Sequence, residues 1–396
     1  MKKISILLSI AAVVLMVSVS CSNQSGNRAL ILTGQNTGNW QESSPVLKQI
    51  LDQSGIFTCD ILTSPDKGGD MSGFNPVFSK YKLVVLDYNG DSWSDKTKAA
   101  FVEYVNNGGG VVVYRDAAFA FPGWKEYAEF CGVGSSEGPY VYYRGNKVRL
   151  DSTAGRPAQP GRLRETEIRA RNMEHPVLKG LPVRWVHGTD IIYNRLQGPA
   201  KNLEVLATAF CDTTGGGSGR DEPVMMTITY GKGRIFHTTL GFADVNGGPA
   251  MLCSGFITTL QRGAEWAATG NVTQSVPVDF PSAAGVVIRT DMKILTLEDD
   301  FANIVNYEID KTTKYYTDLQ SHIRKTSGNP EERLKIEKMM VEVLKNATAT
   351  VESKKLMLRE LSWMGTEYCV PAIKELAATT ELKDEAEYAL ARLNAK

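Results

Sequence analysis

The sequence predicts an α/β domain on a parallel sheet covered on both faces, followed by a small all-α region. Three observations carry that prediction. Short, continuously apolar runs alternate with helical patterns from residue 28 onward. All but two of the 36 glycines precede residue 298, so the first region is rich in tight turns. Charge changes at the same place: 33 of the last 99 residues are charged, against 55 of the first 297. A 396-residue chain is also too long for one ordinary core and comfortable for two domains.

Lys2 and Lys3 open an apolar run from Ile4 to Val19, shorter than the roughly 20 residues a spanning helix needs. The run ends Ser18-Val19-Ser20-Cys21 and continues into small polar residues. This resembles a bacterial lipoprotein signal, with Ser18 where that pattern usually has Leu. The resemblance implies a signal over residues 1–20, lipid on Cys21, and a tether over 21–27. It also implies a place in the cell envelope, membrane-anchored through Cys21 and facing the periplasm or outer membrane. A plain cleaved signal with an unmodified Cys21 is the other reading. The other five cysteines stand singly, in neither a CxxC nor a zinc spacing, and read as small buried hydrophobes.

Arg28–Thr33 reads as the first strand, and its loop Gly34–Gly38 leads to a helix over Ser44–Ser54, with Pro45 in the first turn. Phe57–Leu62 and Tyr81–Leu86 are the next strands. A helix over Asp95–Asn106 precedes the buried strand Val111–Tyr114. Later strands are Glu204–Ala209, Val224–Tyr230 and Gly233–Thr238, and a helix over Met251–Ala268 returns the chain. Gly215–Gly219 lacks the GK[ST] of a phosphate loop and reads as a flexible surface loop. Ligands of open α/β sheets bind beyond the strand carboxyl ends. Asn36, Asn89, Asp91, Arg115 and Asp116 sit at such ends, with Gln35 beside them.

Forty-four basic and 44 acidic residues give no net charge, which excludes a general nucleic-acid binder. The absence of G-x-G-x-x-G after the first strand excludes dinucleotide binding of the Rossmann kind. No cysteine occupies the elbow after the central strand, and no G-x-S-x-G occurs, so triad hydrolysis is excluded. No cofactor and no metal are expected.

Several ordered strings point to one family. They are Leu32–Asn36 with Asn39-Trp40, Asn89–Asp91, Phe121–Tyr127, His175-Pro176 with Gly180–Pro182, Trp185–His187 with Asp190, Gly231–Thr238, and Arg262–Gly270. Together they resemble the trehalose-utilisation, or ThuA-like, family over residues 28–281. The resemblance implies a flavodoxin-like, doubly wound, mostly parallel sheet related to class I glutamine amidotransferases. It also implies a role in carbohydrate catabolism, including pathways of 3-keto sugars. The chain departs from the family's pattern where histidines are common: Gly38, Arg115, Pro160 and Phe242 stand there instead, and Ile191 replaces an acid after Asp190.

The candidate residues carry two readings each. His187, Asp190 and His237 are candidates for proton transfer; alternatively His187 makes a structural hydrogen bond and His237 is a core histidine. His175 is structural. Arg115 either pairs with Asp116 or clamps a ligand with its planar fork. Gln35, Asn36, Asn89 and Asp91 suit sugar hydroxyls, and Trp40, Trp93 and Trp124 offer faces for sugar rings. Asx turns and core aromatics are the alternatives. The expected ligand is a carbohydrate or keto sugar, which the protein either processes or, as a catalytically silent relative, only binds.

Residues 282–297 read as a linker and 298–396 as helical. One long helix is predicted over Asp299–Lys325 and another over Glu331–Ala347. Residues 350–396, with a Gly365-Thr366 turn and an early Pro371, resemble a single HEAT-type repeat. A lone repeat needs a neighbour for its apolar faces, so this region either docks a protein partner or caps the preceding helices.

Overall fold

In β1 (Asn27–Thr33), β3 (Leu83–Leu86) and β4 (Gly110–Tyr114) nearly every side chain is buried, on both faces of the sheet. Only a sheet with helices on both sides accommodates such strands. The computed structural model describes residues 27–395 apart from 135–136, 154–156, 245–246, 291, 293–296, 309–315, 317–318, 321–322, 324–325 and 327. The leader with Cys21, and His322, lie outside the described residues. The chain divides after Met292 into two compact units.

In the first unit β2 (Phe57–Thr63), β1, β3, β4 and β11 (Gly233–Thr238) pair in parallel in that order. The order 2-1-3-4 is that of flavodoxin-like folds. The sheet continues antiparallel through β10 (Arg220–Tyr230), β9 (Leu203–Cys211), β7 (Gln159–Ala170) and β8 (Arg184–Asn194). A hairpin of β5 (Tyr140–Arg144) and β6 (Lys147–Asp151) joins β10 through β5. The sequence reading did not include β5 to β8.

Alternation along the strands sorts the two helical layers. Leu30, Leu32, Val84, Leu86, Val111 and Val113 share one core with Phe101 and Val105 of α2 (Asp95–Asn106) and Phe130 of α3 (Lys125–Cys131). Helix α1 (Trp40–Gln53) buries Val46, Leu47, Ile50 and Leu51 and packs beside α5 (Ser254–Thr269). Helix α1 starts at Trp40 rather than Ser44, which moves Pro45 out of the first turn. The predicted helix from Met251 is two pieces. Short α4 (Gly248–Met251) precedes α5, and Cys253, with extended backbone, caps α5. The segment after Ser282 straps onto this unit: Val186 N–H donates to the Ser282 carbonyl, and Ser254 N–H to that of Val287.

In the second unit the helix predicted over Asp299–Lys325 breaks after Ile304, and most of residues 309–325 lie outside the described residues. α6 (Leu297–Ile304) ends in a turn, where the Val305 carbonyl accepts from the Thr350 N–H. Helices α7 (Pro330–Lys345), α8 (Val351–Met364), α9 (Val370–Leu376) and α10 (Lys383–Asn394) pack around Met340, Met357, Leu361 and Ile373. Buried Glu337 accepts hydrogen bonds from Thr366 and from the Cys369 N–H, which fixes the turn between α8 and α9. Among the described residues no helix is long and apolar enough to cross a membrane.

Candidate functional site

The loops after β1, β3 and β4 meet where the strand order reverses, the place where open α/β sheets bind ligands. A cavity of about 200 Å³ opens there. Its polar lining comes from Asn36 after β1, Ser43 of α1, Asp87 at the end of β3, and Arg115 and Asp116 after β4. Its apolar lining comes from Pro160 of β7, Ile191 of β8 and Phe242 after β11, with the Tyr193 ring beside them.

Asp87 is wholly buried and accepts from Asn36 Nδ2 at 2.9 Å, Ser43 Oγ at 2.5 Å and Ser44 Oγ at 2.7 Å. Burial pushes this carboxyl up to about 6, the charge of Asp116 adds to the effect, and the three donors oppose it. Asp116 accepts from the Tyr193 hydroxyl and, at 3.3 Å, from Thr37 Oγ1.

Arg115 has a positive φ of 45°, a strained conformation for a residue with a Cβ. Its guanidinium lies over the rings of Tyr193 and Phe242, 5.4 and 5.5 Å from their centroids. Nη1 donates to Asp190 Oδ1 and to the Thr239 carbonyl, each at 2.9 Å. Behind the cleft Asp190 Oδ2 meets His187 Nε2 at 2.8 Å, and the N–H groups of Gly241 and Phe242 also donate to this carboxylate. Burial alone would raise the Asp190 carboxyl; Arg115 and His187 outweigh it and hold it below its ordinary value. Burial likewise opposes a charged His187, but Asp190 and the Cys253 thiol push it up to about 9. Burial would raise the Cys253 thiol, and His187 brings it below its ordinary value.

The structure brings Asn36, Arg115 and Asp116 together on the cavity. Arg115 pairs with Asp190, not with its neighbour Asp116. His187 and Asp190 are wholly buried and do not line the cavity; Asp190 bonds Arg115 and the N–H groups of Ile191 and Phe242, which do. His237, in the middle of the sheet, bonds the Cys131 carbonyl through Nδ1, and burial lowers it to about 4. His175 Nδ1 accepts from the Val177 N–H. Gln35 braces the loops, donating to the Pro65 carbonyl and accepting from the Asp91 N–H; Asn89 reaches Thr37, and Asp91 accepts from the Gly68 N–H. Trp93 and Trp124 pack edge-to-face with Phe121 in the α2–α3 core, and Trp40 opens α1 outside the cavity lining. Sequence reasoning missed Asp87, Tyr193 and Cys253. A carboxylate directly after the apolar run Leu83–Leu86 was the available signal for Asp87. The meeting of Cys253 with His187 across the fold left none.

The model of the ThuA family, described as trehalose utilisation, matches residues 28–267. The chain belongs to that family. A crystal structure of a ThuA-like protein from Parabacteroides merdae is 49% identical, with a TM-score of 0.66. The match covers 68% of this chain and 99% of that one. A second ThuA-like structure, from Bacteroides uniformis, is 20% identical with a TM-score of 0.38, covering 62% of this chain and 93% of that one. No curated protein matches the chain.

Membership in the ThuA family gives the departures a location. Gly38, Arg115, Pro160, Ile191 and Phe242 all line the one cavity. At four of these positions, where the resemblance implies imidazoles, this chain has a hydrogen, a guanidinium, a pyrrolidine and a phenyl ring. Among the described residues no histidine lines the cavity, and no group of three His, Cys, Asp or Glu side chains is disposed to hold a metal.

Proposed function

We propose that this ThuA-family protein binds a sugar or 3-keto sugar in the cavity at the strand carboxyl ends, at the cell envelope, where lipid on Cys21 anchors it. A ThuA-like domain implies a role in carbohydrate utilisation. The observation that carries the binding reading is the two-sided lining of the cavity. Asn36, Asp87 and Asp116 supply hydrogen-bond partners for hydroxyl groups, while Phe242 and Tyr193 offer apolar faces for ring C–H groups. His187 and Asp190 serve by fixing the guanidinium of Arg115 at the cavity.

A second reading, turnover, is favoured by one observation: Asp87 is a cavity carboxyl raised to about 6, in the range useful for acid–base chemistry. Calorimetry of the mature chain with disaccharides, hexoses and their 3-keto forms, followed by mass spectrometry of each mixture, tests both. Binding without conversion is the expected result. Conversion that is lost in Asp87→Asn establishes the second reading, and silence of the whole panel overturns sugar binding.

A further inference from the structure

Charge and size narrow the ligand beyond "a sugar". Asp87, Arg115 and Asp116 are the charged groups among the described residues that line the cavity. The one cation of the three bonds the buried Asp190 carboxylate through Nη1 at 2.9 Å, a carboxylate that it shares with His187. Asp116 has no cationic partner among its hydrogen bonds; a hydroxyl and a phenol donate to it. Asp87 is held by two hydroxyls and an amide. An anionic ligand therefore meets two carboxyls beside a single guanidinium that is already bonded to a carboxylate. A neutral polyol meets a row of acceptors.

The space is small as well. The cavity measures about 200 Å³, below the roughly 300–1,000 Å³ of clefts that enclose drug-sized ligands. Pro160, Ile191 and Phe242 bound it with groups that donate no hydrogen bond from their side chains, so a second ring would find few partners there.

Resting on the sugar-binding reading, we infer that the cavity is a receptor for a single uncharged sugar ring, excluding sugar acids, sugar phosphates and the second ring of a disaccharide. Asp116 is then the specificity-determining residue. Its carboxylate accepts from a neutral hydroxyl and repels a carboxylate or phosphate in the same position.

The test is calorimetry of the mature chain, without its first 20 residues, against neutral hexoses and their 3-keto forms, the matching hexuronates, hexose 6-phosphates and α,α-trehalose. The expected result is a neutral monosaccharide that binds at least about ten-fold tighter than its uronate, the size of effect one unscreened charge pair produces. Trehalose should bind no tighter than glucose. Asp116→Asn should narrow the uronate gap, and raising the salt from about 0.05 to 0.5 M should narrow it in the unaltered protein. A uronate or phosphate that binds as well as the neutral sugar overturns the charge argument, as does a gap that neither salt nor the variant changes. Trehalose binding ten-fold tighter than glucose overturns the single ring while leaving sugar binding intact. No binding by any member overturns the reading underneath.

Discussion

Arg115 does two things whose energetic signs differ. Its guanidinium neutralises a carboxylate with no exposure, and its backbone holds a φ of 45° to deliver it there. Removing the side chain leaves Asp190 short of a partner, at a cost of about 3 kcal/mol. Glycine, however, adopts positive φ without the roughly 1–2 kcal/mol that a Cβ costs. Arg115→Ala should therefore lose about 1 kcal/mol more stability than Arg115→Gly in urea unfolding, the reverse of the usual order for these two residues. Equal losses would show that the turn stores no strain. Asp87 yields a second prediction at this scale. Its folded pKa of about 6 lies above its ordinary value of 3.8. The group's contribution to stability is therefore present below pH 3.8 and lost as the pH rises through 6. Asp87→Asn should gain stability relative to the unaltered protein between about pH 4 and 6 and hold that gain above it. A difference that stays flat across this window would mean that Asp87 ionises freely.

The elements show what a sequence can disclose and what it cannot. β1, β3 and β4 were legible because burial on both faces leaves runs such as Leu83–Leu86 with no polar residue. β7 was not, because its first seven residues are exposed or half-exposed and read Gln-Pro-Gly-Arg-Leu-Arg-Glu, the composition of a loop. Its pairing with β8 and β9 is what makes it a strand. The β5–β6 hairpin carries its own signal in the Gly145-Asn146 pair: both take positive φ, as a tight two-residue hairpin turn requires. Half of the site was legible for a related reason. Asn36, Arg115 and Asp116 follow apolar strands directly, whereas Tyr193 and Pro160 reach the cavity from the strands that composition concealed. Close packing of elements gives a third prediction. A Cβ on Gly263 of α5 would lie 2.3 Å from the Phe236 ring on β11. Helix propensity favours alanine there by about 1 kcal/mol, yet overpacking costs about 1–3 kcal/mol. Gly263→Ala should lower the melting temperature in calorimetry, because the helix must move off the sheet that carries β4 and its catalogue of cavity residues. A rise would mean that α5 has room to shift without cost.

For the whole molecule the question is whether the cavity depends on the helical region. The core beneath the cavity is drawn from residues between Leu30 and Ile235, and the helical core from residues between Phe301 and Ala389. Each unit thus buries its own apolar side chains, the physical criterion for folding alone. The strap after Ser282 belongs to the first unit through its bonds to Val186, Ser254 and Leu252, so a cut before it would expose backbone groups that are now paired. A chain ending at Met292 should therefore unfold in one cooperative transition and bind sugar within about two-fold of the full protein, whereas a chain ending at Phe280 should be less stable by the bonds of the strap. Loss of sugar binding by the chain ending at Met292, with its cooperative unfolding intact, would mean that the helical region completes the site.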